Sequence, residues 1–135
     1  MRKKRKIRKD AKKYYDKQVK KAKKELWELQ SKLIRIKSGG ICFTCKKKFD
    51  WKKLEAGHFR HGWGDFEEKN IQAQCVKCNR YLHGNLGVYA VELDKKYGQG
   101  TAEELIRLSG KPIKYDLDFL LKKIEQIKNE LKNYE

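Results

Sequence analysis

Four cysteines stand in two identically spaced pairs, Cys42/Cys45 and Cys75/Cys78, with 29 residues between the pairs. At C-x2-C spacing two thiolates of one turn reach the same ion. Zinc takes four tetrahedral ligands, so two such pairs close its shell and leave no position for water or substrate. The set points to a structural Zn2+ that builds a fold and performs no chemistry itself. Ordinary buried thiols, redox thiols and disulfides are the competing uses. Nothing else suggests export: MRKKRKIRK resembles the charged start of a signal peptide, yet no apolar run follows it. No segment approaches the roughly 20 apolar residues that span a bilayer. The expected compartment is the cytoplasm, where paired cysteines are more often zinc ligands than disulfides.

A second set of residues lies around the thiols without belonging to their shell. His58 follows Gly57 in a glycine-rich stretch, and an imidazole with an ordinary pKa near 6.5 takes a proton from water at neutral pH. Asn70 precedes the second cysteine pair and is placed to hold the histidine by a hydrogen bond across the loop. Asn79 follows Cys78 directly, where its amide oxygen suits a hard divalent cation such as Mg2+. His83, four residues on, falls on the same face of a helix expected from Cys75 through Arg80 to about His83. Each has a plain alternative: a turn cap for His58, a helix cap for Asn70, surface polarity for Asn79 and His83. Their order around two C-x2-C pairs favours the functional set.

The motifs "AGHF", "NIQAQCVKCNRYLHGN" and "YAVELDKKYG" resemble the NinG/Rap family of lambdoid phage recombination nucleases, within the zinc-stapled branch of the HNH (ββα-metal, treble-clef) endonucleases. The likeness covers roughly residues 40–130. It implies a metal-dependent phosphodiesterase acting on branched DNA such as Holliday junctions and D-loops, with Mg2+ or Mn2+ as catalytic cation. His58 falls on the general-base position, Asn70 on the middle Asn, Asn79 on the final metal-binding position and the four cysteines on structural zinc. One departure matters. Many HNH enzymes place Asp or His just before the base as a second cation ligand, and here that residue is Gly57. His83 is the first substitute by helical spacing, with His61, Glu55 and Asp65 behind it. Lys46, Lys47, Lys48, Arg60, Lys77 and Arg80 are the expected phosphate contacts, and Trp63 and Tyr81 are open to base stacking or to core packing. A non-catalytic zinc protein that binds DNA or RNA as a recombination accessory is the alternative function.

These residues need elements to position them. Tyr15, Val19, Ala22, Leu26, Leu29, Leu33 and Ile36 form a heptad seam in a helix expected over residues 10–37, stopped by Gly39-Gly40. Leu117, Leu120, Ile124, Ile127, Leu131 and Tyr134 form a second seam. The simplest packing pairs the first and last helices antiparallel, and a homodimer seam is the alternative. Between them come a knuckle at Cys42–Cys45, a short strand around Phe49–Leu54, and a loop over 55–69 too glycine-rich for a central strand. Helices follow over 86–97 and from Thr101, whose capping box with Glu104 opens it, to Leu108. The expected fold is mainly α with a small β-hairpin, a treble-clef module between long helices. Its divisions are 1–38 (basic helix), 39–98 (zinc module) and 99–135 (helical extension).

Charge supplies the partner class. The 135 residues carry a net charge of +17, and residues 1–40 hold 17 Lys and Arg against four acidic residues. So concentrated a positive field points to a polyanion, nucleic acid before membrane, with a solubilising arm as the bland reading. Residues 1–9 are expected to be disordered, or ordered only on a phosphate backbone.

Overall fold

The computed structural model describes residues 1–135 and is mainly helical, with one two-stranded antiparallel sheet. Helix α1 runs unbroken from Arg2 to Lys37. Residues 1–9 are therefore not disordered: the helix continues through them. It contains no Gly or Pro, and once the packed half offsets the cost of nucleation, each added Lys or Arg extends it with little penalty. The chain then turns at Gly39 and Gly40, both at positive φ, and a Cβ on Gly40 would lie 2.2 Å from the Phe49 carbonyl oxygen.

The strands are β1 (Glu55–His58) and β2 (Ile71–Gln74), paired so that Glu55 faces Gln74 and His58 faces Ile71. The strand expected around Phe49–Leu54 is absent. In its place a single 3-10 turn, Trp51–Lys53, is capped by Asp50, whose Oδ1 accepts from the Lys52 N–H at 3.0 Å. The real strand starts one residue later, inside the segment expected to be loop. Gly57 does not weaken it, because neighbouring side chains fill the space its own would take. After Cys75 comes one wide π turn, Lys77–Tyr81, followed by helices α2 (Leu86–Tyr97), α3 (Thr101–Leu108) and α4 (Leu117–Leu131). The Thr101–Glu104 capping box does not form. Thr101 donates its hydroxyl to the Gly98 carbonyl, and the α3 cap is Asp94, whose Oδ1 accepts from the Ala102 N–H at 3.0 Å.

The first and last helices do pack together, but in parallel. Tyr15 Oη, more than a third of the way along α1, accepts from the Leu117 N–H at the start of α4 at 3.2 Å, and Lys37 Nζ meets Glu130 Oε1 at 3.0 Å near the end of both. An antiparallel pair is what a short connection dictates. Here α2, α3 and residues 109–116 bring the chain back to the N-terminal half of α1, and the direction follows from that path. Their interface buries Ala22 and Leu26 against Leu120, Ile124 and Phe66. A second core joins Tyr89 and Leu93 of α2 and Ala102 and Leu105 of α3 to Phe59 and Trp63, and a third surrounds the cysteines with Leu54 and Ala73. Only 28 of 135 residues are buried. Three cores this small need a further staple. No helix is long and apolar enough to cross a membrane.

Candidate metal centre and catalytic site

The four thiols converge. Cys42, Cys45, Cys75 and Cys78 place their Sγ atoms within 4.8 Å of one another, with Cys45 and Cys75 at 3.8 Å and no disulfide formed. Four thiolates at the usual Zn–S length stand about 3.8 Å apart around a tetrahedral ion, so the set fits zinc. The first pair sits on a knuckle closed by the Ile41–Lys48 bridge, with Lys46 at φ 64 and its N–H donating to the Cys42 carbonyl. The second pair opens the π turn, where the Cys78 N–H donates to Cys75 Sγ at 3.5 Å. Burial raises the Cys42 thiol, but the Thr44 hydroxyl and the N–H groups of Cys75, Cys45 and Thr44 outweigh it and bring it down to about 6. Burial and the adjacent thiols push Cys75 up to about 12. A divalent cation held by these four residues would relieve that conflict by stabilising each as a thiolate.

His58 ends β1 and is gripped from three directions. Its Nε2 lies 2.9 Å from Asp65 Oδ1, and its ring stacks on the Trp27 indole at 5.0 Å with an interplanar angle of 11°. His61 stands tilted against it, 5.9 Å between ring centroids. Its Nδ1 has no hydrogen-bond partner in the protein. The side chain is 19% exposed. Burial holds its pKa below the ordinary 6.5, against the opposing pull of the Asp65 carboxylate. Helix α1 also fixes Asp65, because Gln30 Nε2 donates to the Asp65 carbonyl at 2.7 Å.

Asn70 is wholly buried and braces the loop after His58. Its Oδ1 accepts from the Arg60 N–H at 2.8 Å, while its Nδ2 donates to the carbonyls of Arg60 and Trp63 at 3.1 and 2.9 Å. It holds the backbone next to His58 and does not touch the imidazole. Tyr89 fastens the same region from α2, its hydroxyl donating to the Gly57 carbonyl at 2.8 Å.

Asn79 lies on the π turn, with its Nδ2 donating to Glu55 Oε1 at 3.2 Å and its Oδ1 turned towards Gly57. Arg80 pairs with the same Glu55 carboxylate and, as the first cause, draws its pKa down. Side chains alternate along a strand, so Glu55 and Gly57 face Asn79, whereas His58 faces Trp27. Asn79 thus lies on the Gly57 face of β1 and the His58 side chain on the opposite face, at successive positions of the strand end. His83 does not share a helical face with Asn79. The π turn ends at Tyr81, and His83 is exposed with a left-handed φ of 51°.

Of the expected phosphate contacts, Lys47, Lys48 and Lys77 are exposed and unpaired, Lys46 pairs with Glu92 at 2.9 Å, and Arg80 pairs with Glu55. Arg60 Nε donates to Ser109 Oγ at 3.0 Å. Trp63 is core, its indole N–H donating to the Lys111 carbonyl, whereas Tyr81 is exposed. Sequence reasoning missed Trp27, Gln30 and Gln74 as parts of the site. The available signal was the pair of uncharged residues three apart, Trp27 and Gln30, on a face of a lysine-rich helix beside the apolar seam.

The family model described as "NinG: Bacteriophage Lambda NinG protein" matches residues 1–135. Protein ninG of Escherichia phage lambda and that of Enterobacteria phage H19B are each 42% identical to the chain over 55 residues, and that of Salmonella phage P22 is 38% identical over 55. Each of these matches covers 38% of this chain but only 27% of the relative. No solved structure matches it. With the family model matched from end to end, the chain belongs to the NinG family of phage proteins.

Proposed function

We propose that this protein is a structure-specific, metal-dependent DNA endonuclease that cuts branched recombination intermediates, Holliday junctions and D-loops, at an HNH-type site on a treble-clef zinc module. One observation carries the reading. An imidazole depressed below 6.5 is fixed by Asp65 on one nitrogen and free on the other, at the end of a strand whose other face looks onto Asn79. Such a histidine is neutral at pH 7 and oriented to accept a proton.

His58 Nδ1 takes the proton of the attacking water, and Asp65 at Nε2 steadies the imidazolium that forms. Asn79 offers an amide oxygen to a divalent cation, Mg2+ or Mn2+. That cation supplies, when bound, neutralisation of charge on the scissile phosphate and the leaving 3′ oxygen. The product carries a 5′ phosphate. A phosphate at the strand end reaches both faces, because Gly57 and His58 are consecutive residues. Asn70 keeps the 59–64 loop in register, while Lys47, Lys48, Lys77 and the exposed half of α1 hold duplex arms without reading sequence. Symmetric resolution of a junction requires two such sites, hence two copies.

The non-catalytic alternative is favoured by Gly57, which offers no cation ligand. The deciding experiment incubates the zinc-loaded protein with a four-way junction, linear duplex or structured RNA in Mg2+ or Mn2+, beside His58→Ala. Junction cleavage that drops about 10²–10⁴-fold in the variant is expected. Binding without cleavage establishes the accessory role, and a preference for RNA removes the branched-DNA reading.

A further inference from the structure

Gln74 Oε1 is the only buried side-chain polar atom in the protein without a hydrogen-bond partner. The residue is 0% exposed, and its amide cannot turn to hide the defect. Its Nε2 is committed to two acceptors, the Gly84 carbonyl at 2.9 Å and Thr44 Oγ1 at 3.1 Å. The oxygen therefore points where it does because the nitrogen is needed elsewhere. It points at Gly57: a Cβ built there would lie 1.9 Å from Gln74 Oε1 and 3.0 Å from Asn79 Oδ1.

Asn79 is oriented in the same way from the other side. Glu55 accepts from its Nδ2, which turns Oδ1 towards the same point. Two amide oxygens thus converge over Gly57 with no donor between them. Glu55, opposite Gln74 in the register, lies on the same face, with its carboxylate engaged by Asn79 Nδ2 and Arg80. Convergent amide oxygens belong to the ligand set of hard divalent cations, which water completes.

We propose that Gln74 Oε1 and Asn79 Oδ1 are protein ligands of one divalent cation, with Gln74 filling from β2 the ligand place that Gly57 leaves open on β1. The assignment rests on the nuclease reading above and specifies its cation site. It also explains Gly57, since any side chain there would collide with the Gln74 amide. Glu55 acts as a positioning residue by fixing the Asn79 amide.

The test is Mn2+ binding to the zinc-loaded full chain, read by electron paramagnetic resonance per bound zinc, so that unfolded protein does not count. Gln74→Met keeps the length of the side chain and removes its oxygen, and should weaken Mn2+ binding at least ~10-fold, the scale on which even outer partners of a metal act. The double variant Gly57→Asp with Gln74→Ala returns an oxygen ligand to β1 and removes the collision, and should bind Mn2+ better than Gln74→Ala alone. Parent-like binding in Gln74→Met overturns the assignment. So does a zinc-loaded double variant no better than Gln74→Ala. A parent chain that binds no Mn2+ and cuts no junction sinks the nuclease reading itself. A parent that binds and cuts, with Gln74→Met unchanged, sinks only the ligand assignment.

Discussion

The imidazole of His58 lies face to face with the indole of Trp27, 5.0 Å between centroids and 11° from parallel. Trp27 belongs to α1, outside the zinc module, so the candidate base leans on a helix that the module does not itself build. Replacing Trp27 by Ala opens that wall to water. The His58 pKa should rise towards 6.5, and turnover should fall about 10-fold from lost alignment while junction affinity holds. Histidine NMR titration and single-turnover kinetics check both effects. A parent-like titration curve would show that the stack does not shield His58.

Asp65 acts on the same ring with opposite sign. Asp65→Asn removes the carboxylate that raises the His58 pKa, leaving burial unopposed, so the pKa should fall further and the acid limb of the rate profile should move to lower pH. The parent pKa is already below its unfolded value of 6.5. The stability contributed by neutral His58 is therefore complete above pH 6.5 and is lost as pH falls through that value towards the folded pKa. Denaturant melts at pH 7.5 and 5.5 should show a smaller midpoint at the lower pH, with a smaller difference in His58→Gln.

Zinc removal tests the staple. Metal binding in small modules of this kind is worth on the order of 10 kcal/mol, more than cores of this size supply. Chelation, or Cys75→Ser, should abolish the β1–β2 hairpin and the π turn together. Far-UV circular dichroism and amide exchange of residues 55–58 and 71–74 would report it. A hairpin that stays protected without metal would mean that Leu54 and Ala73 hold the module unaided.

The N-terminal half of α1 is the simplest part to remove. Residues 1–17 are exposed throughout, and the packed face begins near Val19 and Ala22. Deleting residues 2–13 should leave the melting temperature unchanged. It should also flatten the salt dependence of DNA binding, by about 0.9 in log–log slope for each phosphate that is no longer neutralised. An unchanged slope would assign the arm another task.

The two heptad seams and the four-cysteine cluster were legible because each repeats a fixed spacing: Leu26 and Leu33 recur at seven, and the cysteine pairs match each other. The direction of the α1–α4 pair was not legible, since the spacing of a seam is the same read either way. Strand β1 was hidden because Glu-Ala-Gly-His has no apolar alternation, and its stability comes from Gln74, Asn79 and Tyr89, which meet Gly57 only in three dimensions. Trp27 reads in the sequence only as part of a helix for the same reason, since its contact with His58 exists only in the fold. The hydrogen bonds of Asn70 to Arg60 and Trp63 likewise need the folded loop to exist.

The parallel helix pair has a consequence for biogenesis. Its closing hydrogen bonds join residues 93 and 102 positions apart, so α1 leaves the ribosome with its seam bare and waits on the order of 10 s for α4 to be synthesised. Until then the wall behind His58 has only one of its two supports, the Gln30 bond to Asp65, and lacks the packing of Leu120 and Ile124. A nascent chain can already carry its four cysteines and its lysines while α1 still lacks α4 at its back. Under the proposed nuclease reading, a fully braced His58 comes only with α4, after the lysines that would hold DNA.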